Sequence, residues 1–325
     1  MRRYLITGGT GFLGSALVRR LVEAGNAVRV LDDNSRGAPH RLAGCANVEL
    51  VGADVRDARA VTAAAKGVDC VVHMAAINGT EFFYRKPEAV LDVAVRGTLA
   101  VVDACRANGV GDLVLASSSE VYQTPPVVPT PEAVPLIVPD VFNPRYSYGG
   151  GKLISELIAV NYGRTGFERV VIFRPHNVYG PDMGWEHVIP QLALRAAAAA
   201  TRAARGRSVD FPIQGTGQQT RAFVHVDDFT DGLMRVIAHG QHLAVYNIGS
   251  DEEVTIADLA QRIVAIFGCS ANLQRNEAPA GGTDRRCPDI SLLRALGYAP
   301  RICLDDGLPD VVRWYAENPA RAPAA

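Results

Sequence analysis

Short β-branched runs alternate with stretches of helical spacing through the first half of this chain. Tyr4–Thr7, Ala27–Asp32, Val48–Gly52, Asp69–Met74 and Leu113–Ser117 are apolar runs of strand length and read as buried strands. Between them, Leu13, Leu17 and Leu21, and later Val95, Leu99, Val102 and Cys105, recur every three or four residues, the spacing of one helix face. Strand, helix and strand in repetition require crossover connections. The pattern therefore predicts an α/β fold built on a doubly wound, Rossmann-type parallel sheet.

The rhythm breaks at Thr124–Pro144, a Pro-rich segment that reads as an ordered loop or lid. A helix is expected from near Tyr146 and a strand at Arg169–Arg174. Beyond Pro181 strand signals are sparse, Leu192–Ala204 is Ala-rich and a good helix former, and Thr255–Phe267 has amphipathic spacing. This divides the chain into residues 1–180, the doubly wound part, and 181–325, a smaller α/β unit. Segments near 223–232 and 245–250 are expected to return to the first part, with chain rejoining the sheet around Phe223–Val226 and Val245–Ile248. The tail Asn318–Ala325 is expected to fray.

Composition narrows the function classes. Among 325 residues, 48% are hydrophobic and 21% charged, which gives ample material for a large core and excludes a disordered chain. Basic and acidic side chains number 33 and 34, and no basic cluster is present, so nothing electrostatic argues for nucleic acid as a partner. Six scattered cysteines (Cys45, Cys70, Cys105, Cys269, Cys287 and Cys303) form no CxxC pair, and neither a disulfide framework nor a metal site is expected. Glycines interrupt the N-terminal apolar run, and no stretch of about 18 apolar residues follows. The expectation is a cytoplasmic protein with no membrane partner.

Three segments carry chemistry. The first is Thr7-Gly8-Gly9-Thr10-Gly11-Phe12-Leu13-Gly14, which follows a strand and opens a helix. Gly8, Gly11 and Gly14 permit a tight turn and a close approach of backbone to a pyrophosphate seated on the helix N-terminus. Asp32, ending the next strand, suits a ribose diol and would repel a 2′-phosphate, which favours NAD over NADP. Asn34 and Val55 fall in the loops after the second and third strands, beside this cofactor position. Asp54, after the third strand, is either an adenine contact or a plain loop acid.

The second segment is Tyr148-Gly149-Gly150-Gly151-Lys152. Residues four apart share a helix face, so a phenol and an ammonium can meet there, and a nearby cation favours phenolate. Only three of the 33 basic residues are lysine (Lys66, Lys86 and Lys152), which makes a lysine at this spacing informative. The three glycines disfavour helix and are expected to clear space for a ligand. The third segment is Ser117-Ser118-Ser119-Glu120, at the C-terminal end of a strand, the edge where open parallel sheets bind ligands.

Together these segments resemble the extended short-chain dehydrogenase/reductase family, specifically its nucleotide-sugar epimerases, dehydratases and decarboxylases, over nearly the whole chain. The resemblance implies NAD as cofactor, contacted by Gly8, Gly11, Phe12, Leu13 and Gly14 and by Met74, Ala75 and Ala76 of the His73-Met74-Ala75-Ala76 stretch. It implies a catalytic set of Ser118, Tyr148 and Lys152, with Glu120 as either an acid/base group or a structural carboxylate. Arg174-Pro175-His176-Asn177-Val178-Tyr179-Gly180-Pro181 is similar to the family's segment touching nicotinamide through Pro175 and the substrate diphosphate through Asn177. Arg221, in Gln219-Thr220-Arg221-Ala222-Phe223, and Arg285-Arg286, before Pro288-Asp289-Ile290, resemble its phosphate clamps. Ser119, Glu81 and His187 are further candidates for the sugar pocket, which the loops Asn78–Lys86 and Met183–Val188 are expected to line.

Two positions depart from the family pattern. Ala94 stands where an Asn is usual, read here as a lost structural hydrogen bond. Ser119 stands where 4,6-dehydratases carry an Asp, which counts against dehydration, while the Ser119-Glu120 pair resembles the family's decarboxylases and keeps that ending open. The resemblance thus implies an NAD-dependent nucleoside-diphosphate-sugar 4-epimerase working through a 4-keto sugar. A uronic acid decarboxylase, a dehydratase or a reductase on the same intermediate are the alternatives, and a non-catalytic NAD-binding protein a remote one. It also implies a homodimer through the helices that follow Val95 and Tyr148.

Overall fold

A computed structural model describes residues 1–202, 206–276 and 283–322. The first half runs β1 (Arg3–Thr7), α1 (Phe12–Glu23), β2 (Ala27–Asp32), β3 (Val48–Gly52), α2 (Ala58–Ala64) and β4 (Cys70–His73). It continues with α3 (Thr80–Arg85), α4 (Pro87–Asn108), β5 (Asp112–Ala116), α5 (Ser147–Gly163), β6 (Arg169–Pro175) and β7 (Val178–Tyr179). Then follow α6 (Val188–Arg202), β8 (Ser208–Gln214), β9 (Thr220–Ala222), β10 (Val224–His225), α7 (Val226–His239) and β11 (Ala244–Ile248). The chain closes with β12 (Glu253–Thr255), α8 (Ile256–Ile266), β13 (Ser270–Asn276), β14 (Arg285–Arg286), α9 (Ser291–Ala295) and α10 (Leu304–Glu317).

Seven strands form one parallel sheet in the order β11-β6-β5-β4-β1-β2-β3. This is the Rossmann-type α/β sheet the periodicity predicts. The order reverses at β1, which lies between β4 and β2, and the crevice outside the strand ends at that reversal is where such sheets hold ligands. Leu17, Leu21, Phe173, Phe229 and Leu233 bury one face under α1 and α7, while Val61, Val101, Ala104 and Ala159 cover the other with α2, α4 and α5. A separate core around Leu192, Phe211, Leu259, Val311 and Tyr315 joins α6, β8, α8 and α10.

Four readings of the sequence need correction. Val48–Gly52 is a strand, but an edge one: among the described residues β3 pairs only with β2, and Leu50 is 53% exposed. Val245–Ile248 does rejoin the sheet beside β6, whereas Phe223–Val226 does not, because β10 pairs with β7 in a separate ladder. Asn78–Lys86 is mostly helix, α3, ended where Pro87 opens α4. The tail is ordered through Ala322, with a short turn at Pro319–Arg321 that sets Arg321 on the wall of the main cleft. Residues 203–204 of the Ala-rich helix and 323–325 of the tail lie outside the described residues. Among the described residues no helix is long and apolar enough to cross a membrane.

Candidate active site

A cleft of about 1280 Å³ opens at the sheet's switch point. Its floor is the glycine loop. Gly8 has φ +74°, and a Cβ there would meet the Ala75 backbone at 2.8 Å, so only glycine lets the loop after β1 lie against the loop after β4. Gly14 packs against the Gly8 carbonyl with no room for a side chain. Gly11 is the N-cap of α1 and offers no side-chain cap, which leaves the first amides of that helix turned toward the cleft, as an anion-binding turn requires.

Asp32 ends β2 on the same wall and accepts from the amides of Thr10 at 3.0 Å and Asn34 at 2.9 Å. Two backbone donors orient the carboxylate and leave lone pairs free for a diol. Asn34, with φ +57°, shapes this turn and takes the Thr10 hydroxyl at 3.0 Å, but does not itself line the cleft. Asp54 does line it. Arg56 grips that carboxylate from 2.5–3.1 Å, which holds its pKa below the ordinary value. Phe12, Leu13, Val55, Met74, Ala75, Ala76 and Pro175 complete the walls. These residues fit a dinucleotide: helix amides for the pyrophosphate and an acid for the ribose.

Ser118, Tyr148 and Lys152 converge on this cleft from β5 and α5. Lys152 is buried and donates to the Ala116 carbonyl at 2.7 Å, with its Nζ 5.9 Å from the centre of the Tyr148 ring. Burial pulls the Lys152 pKa down to about 8, against the attraction of Glu156. Burial likewise pushes Tyr148 up to about 12, with a hydrogen bond from Ser118 pulling the other way and Glu120 adding to the rise. The chain alone therefore does not make the phenol acidic. Desolvation outweighs the pull of Ser118.

Gly149 and Gly151 serve packing, which corrects the expectation of space for a ligand at those two positions. A Cβ on Gly149 would meet the Glu120 carbonyl at 2.8 Å, and one on Gly151 would meet the Ala94 Cβ at 2.9 Å. Ala94 is thus the small residue at the crossing of α4 and α5. Its carbonyl accepts from Thr98 at 2.6 Å and Ser155 at 3.1 Å. Thr98 also reaches Nε2 of His73 at 3.3 Å, while Thr7 contacts Nδ1 at 2.7 Å. The Met74 and Ala75 amides donate to the Thr7 hydroxyl, so its proton goes to Nδ1 and neutral His73 carries its own on Nε2. Burial, first, and Lys152 hold His73 down at about 3.

Arginines surround Glu120. Burial pushes its pKa up, but Arg286, bonded to it at 2.6 Å, with Arg145 and Arg221 beyond, holds it below the ordinary carboxylate value. Arg286 lines the cleft, as do Ser119, Glu120 and Asn177. Arg285, one residue away on β14, is exposed and paired with Glu253 at 2.9 Å, as strand alternation requires. Arg221 sends its guanidinium to the Thr220 and Thr283 carbonyls at 2.7 and 2.8 Å and lies outside the cleft lining. Burial, then Arg286, lowers its pKa to about 10.

The two loop candidates separate. His187 lines the cleft, with its pKa lowered chiefly by burial. Glu81 is exposed on α3, paired with Arg85 at 2.6 Å and away from the cleft. Sequence reasoning missed Arg145, Phe83 and the ion pair of Arg36 with Glu186, in which the guanidinium also sits 4.3 Å from the Phe82 ring centre. Arg145 stands three residues before Tyr148, a spacing that could have flagged it.

The profile of the NAD dependent epimerase/dehydratase family matches residues 4–249. A Streptomyces dTDP-4-dehydro-6-deoxy-D-allose reductase is 32% identical, over 97% of this chain and 96% of the relative. UDP-glucuronic acid decarboxylase 5 of Arabidopsis thaliana is 31% identical, over 94% of this chain and 87% of the relative. The crystal structure of DesIV, a dTDP-glucose 4,6-dehydratase from Streptomyces venezuelae with NAD bound, superposes with a TM-score of 0.86 at 30% identity, covering 98% of both chains.

Proposed function

The chain belongs to the NAD dependent epimerase/dehydratase family, and we propose that within it the protein oxidises and re-reduces C4 of a nucleoside-diphosphate sugar, acting as a 4-epimerase. The observation that carries this reading is the convergence of Tyr148, Ser118 and Lys152 on the cleft that the glycine loop and Asp32 build. NAD, when bound, supplies the acceptor and donor of the hydride. Tyr148 takes the proton of the C4 hydroxyl and later returns it. Ser118 holds the same oxygen, and Lys152 supplies a charge that favours the phenolate. Asn177 and Arg286, which line the cleft, anchor the diphosphate, so the keto sugar can turn while the nucleotide stays fixed; Arg221, expected to share this role, lies outside the cleft lining. Residues 1–180 carry the cofactor and this chemistry, and 181–325 mainly hold the nucleotide sugar.

Ser119 and Glu120 count against a dehydration ending. Dehydration asks for a protonated acid beside the sugar, but Ser119 is not acidic and Glu120 is kept ionised by Arg286. Tyr148 is then left as the proton carrier, and its reach is one oxygen.

One observation favours a second ending. Arg145, Arg221 and Arg286 surround a single carboxylate, and this surplus of positive charge would accept the carboxylate of a uronic acid. A ketone at C4 lies β to that group, so carbon dioxide leaves easily. Incubation of NAD-loaded enzyme with UDP-glucose, UDP-galactose, UDP-glucuronate and dTDP-glucose tests both endings. Unchanged mass with C4 inverted is expected. Release of carbon dioxide from UDP-glucuronate alone transfers the reading to decarboxylation, loss of water overturns both endings, and consumption of stoichiometric NADH marks a reductase.

A further inference from the structure

We propose that Phe83 is a positioning residue for Tyr148, its ring setting the plane in which the phenol meets the C4 oxygen. The two rings lie 5.0 Å apart between centres with 12° between their planes. The inference rests on the role given to Tyr148 above.

Phe83 comes from α3, an element 65 residues before Tyr148 in the chain, and packing joins them. Both are buried, and Val90, at 1% exposure, and the half-buried Ile77 complete a small cluster apart from the larger cores. Neighbouring Phe82 packs at the edge of this cluster, with the Arg36 guanidinium 4.3 Å from its ring centre. Gly79, with φ +127°, caps the start of α3, and Lys86–Pro87 ends it, so this short helix is fixed at both ends.

The need for such a support follows from the other partners of Tyr148. Lys152 gives its hydrogen bond to Ala116. The Ser118 oxygen already accepts from the Glu120 amide at 3.2 Å, which leaves its hydroxyl proton for the phenol. A hydrogen bond from Ser118 to the tip of a side chain with two rotatable bonds would not by itself set the tilt of the ring. A nearly parallel aromatic face does, because tilting the phenol would drive its edge into the neighbouring ring. Proton transfer is sensitive to that tilt, since a displacement of about 1 Å at the reacting atoms can cost about 10²-fold in rate.

A filler and a positioner differ in what can replace them. Leucine fills similar space without a plane, whereas tyrosine keeps the plane. The test compares NAD-loaded Phe83→Leu, Phe83→Tyr and Tyr148→Phe enzymes on whichever panel sugar turns over, with melting temperature and bound NAD as controls. For Phe83→Leu, kcat is expected to fall about tenfold or more with KM within about twofold, while Phe83→Tyr stays near wild type. With ring-labelled tyrosine, the Tyr148 signal, assigned by its loss in Tyr148→Phe, is expected to broaden or split in Phe83→Leu and stay single in Phe83→Tyr. Equal kcat in the Leu and Tyr variants, or one sharp Tyr148 signal in both, overturns the proposal. Full turnover by Tyr148→Phe would instead overturn the functional reading beneath it.

Discussion

Lys152 stands 5.9 Å from the centre of the Tyr148 ring yet gives its hydrogen bond to the Ala116 carbonyl at 2.7 Å. The pair therefore shares a helix face without a direct bond, and burial leaves the phenol at about 12.

A second positive charge is needed to make that phenol a base near neutral pH. The oxidised nicotinamide ring carries one. Titration of Tyr148 by ring-labelled NMR is expected to give a pKa lower by about one to three units with NAD than with NADH or no cofactor, because a nearby cation favours the phenolate. Identical values in all three states would show that the cofactor's charge does not reach the phenol.

The glycine run gives opposite outcomes at adjacent positions. Gly150→Ala places a Cβ 3.4 Å from Val138, an ordinary contact, and is expected to stabilise by up to about 1 kcal/mol through helix propensity. Gly151→Ala drives a Cβ to 2.9 Å from Ala94 and is expected to cost about 1–3 kcal/mol, more than the propensity gain. Urea midpoints of the two variants check this, and a stabilised Gly151→Ala would mean that α4 and α5 can part freely.

Beneath the site, Arg174 and Glu156 form a buried ion pair at 2.6 Å, with side chains 3% and 8% exposed, and Ser117 also donates to Glu156. Arg174→Met leaves the buried Glu156 carboxylate without its partner and is expected to destabilise by about 3–5 kcal/mol. Replacing both residues, as Arg174→Met with Glu156→Leu, is expected to recover most of that loss. Comparable destabilisation of single and double variants in chemical unfolding would refute the pairing argument.

Acid is expected to weaken the fold through two histidines. Burial depresses His73 and His176 to about 3, while both return to about 6.5 on unfolding. Between those values the unfolded chain binds more protons, so stability rises with pH from about 3 to 6.5 and is lost as pH falls through that window. Each histidine adds a slope of up to about 1.4 kcal/mol per pH unit. His176→Gln, measured by unfolding at several pH values, should flatten the curve by one histidine's share.

The parts of the site legible in the sequence are those where local backbone geometry limits the residue choice. Gly8 must be glycine because two loops touch there, Gly14 because the first turn of α1 lies on the Gly8 carbonyl, and Asp32 announces itself by ending a strand at the right distance. Tyr148 and Lys152 follow from helical spacing. What escaped depends on which way an element turns. Arg285 and Arg286 look equivalent in the sequence, and only the alternation of β14 sends one to Glu253 and the other to Glu120. Glu81 looks as promising as His187 until α3 turns it outward. The purpose of Gly149 and Gly151 is set by Glu120 and Ala94, partners far along the chain, as is the pairing of Phe83 with Tyr148.

Arg36 and Glu186 both line the cleft and are 150 residues apart in the chain, yet their side chains meet. Widening the mouth there means pulling opposite charges apart. Dissolved ions weaken such an attraction when it is partly open to solvent. Ionic strength thus becomes a handle on how readily the protein trades its resident nucleotide for another, without touching the groups that handle protons.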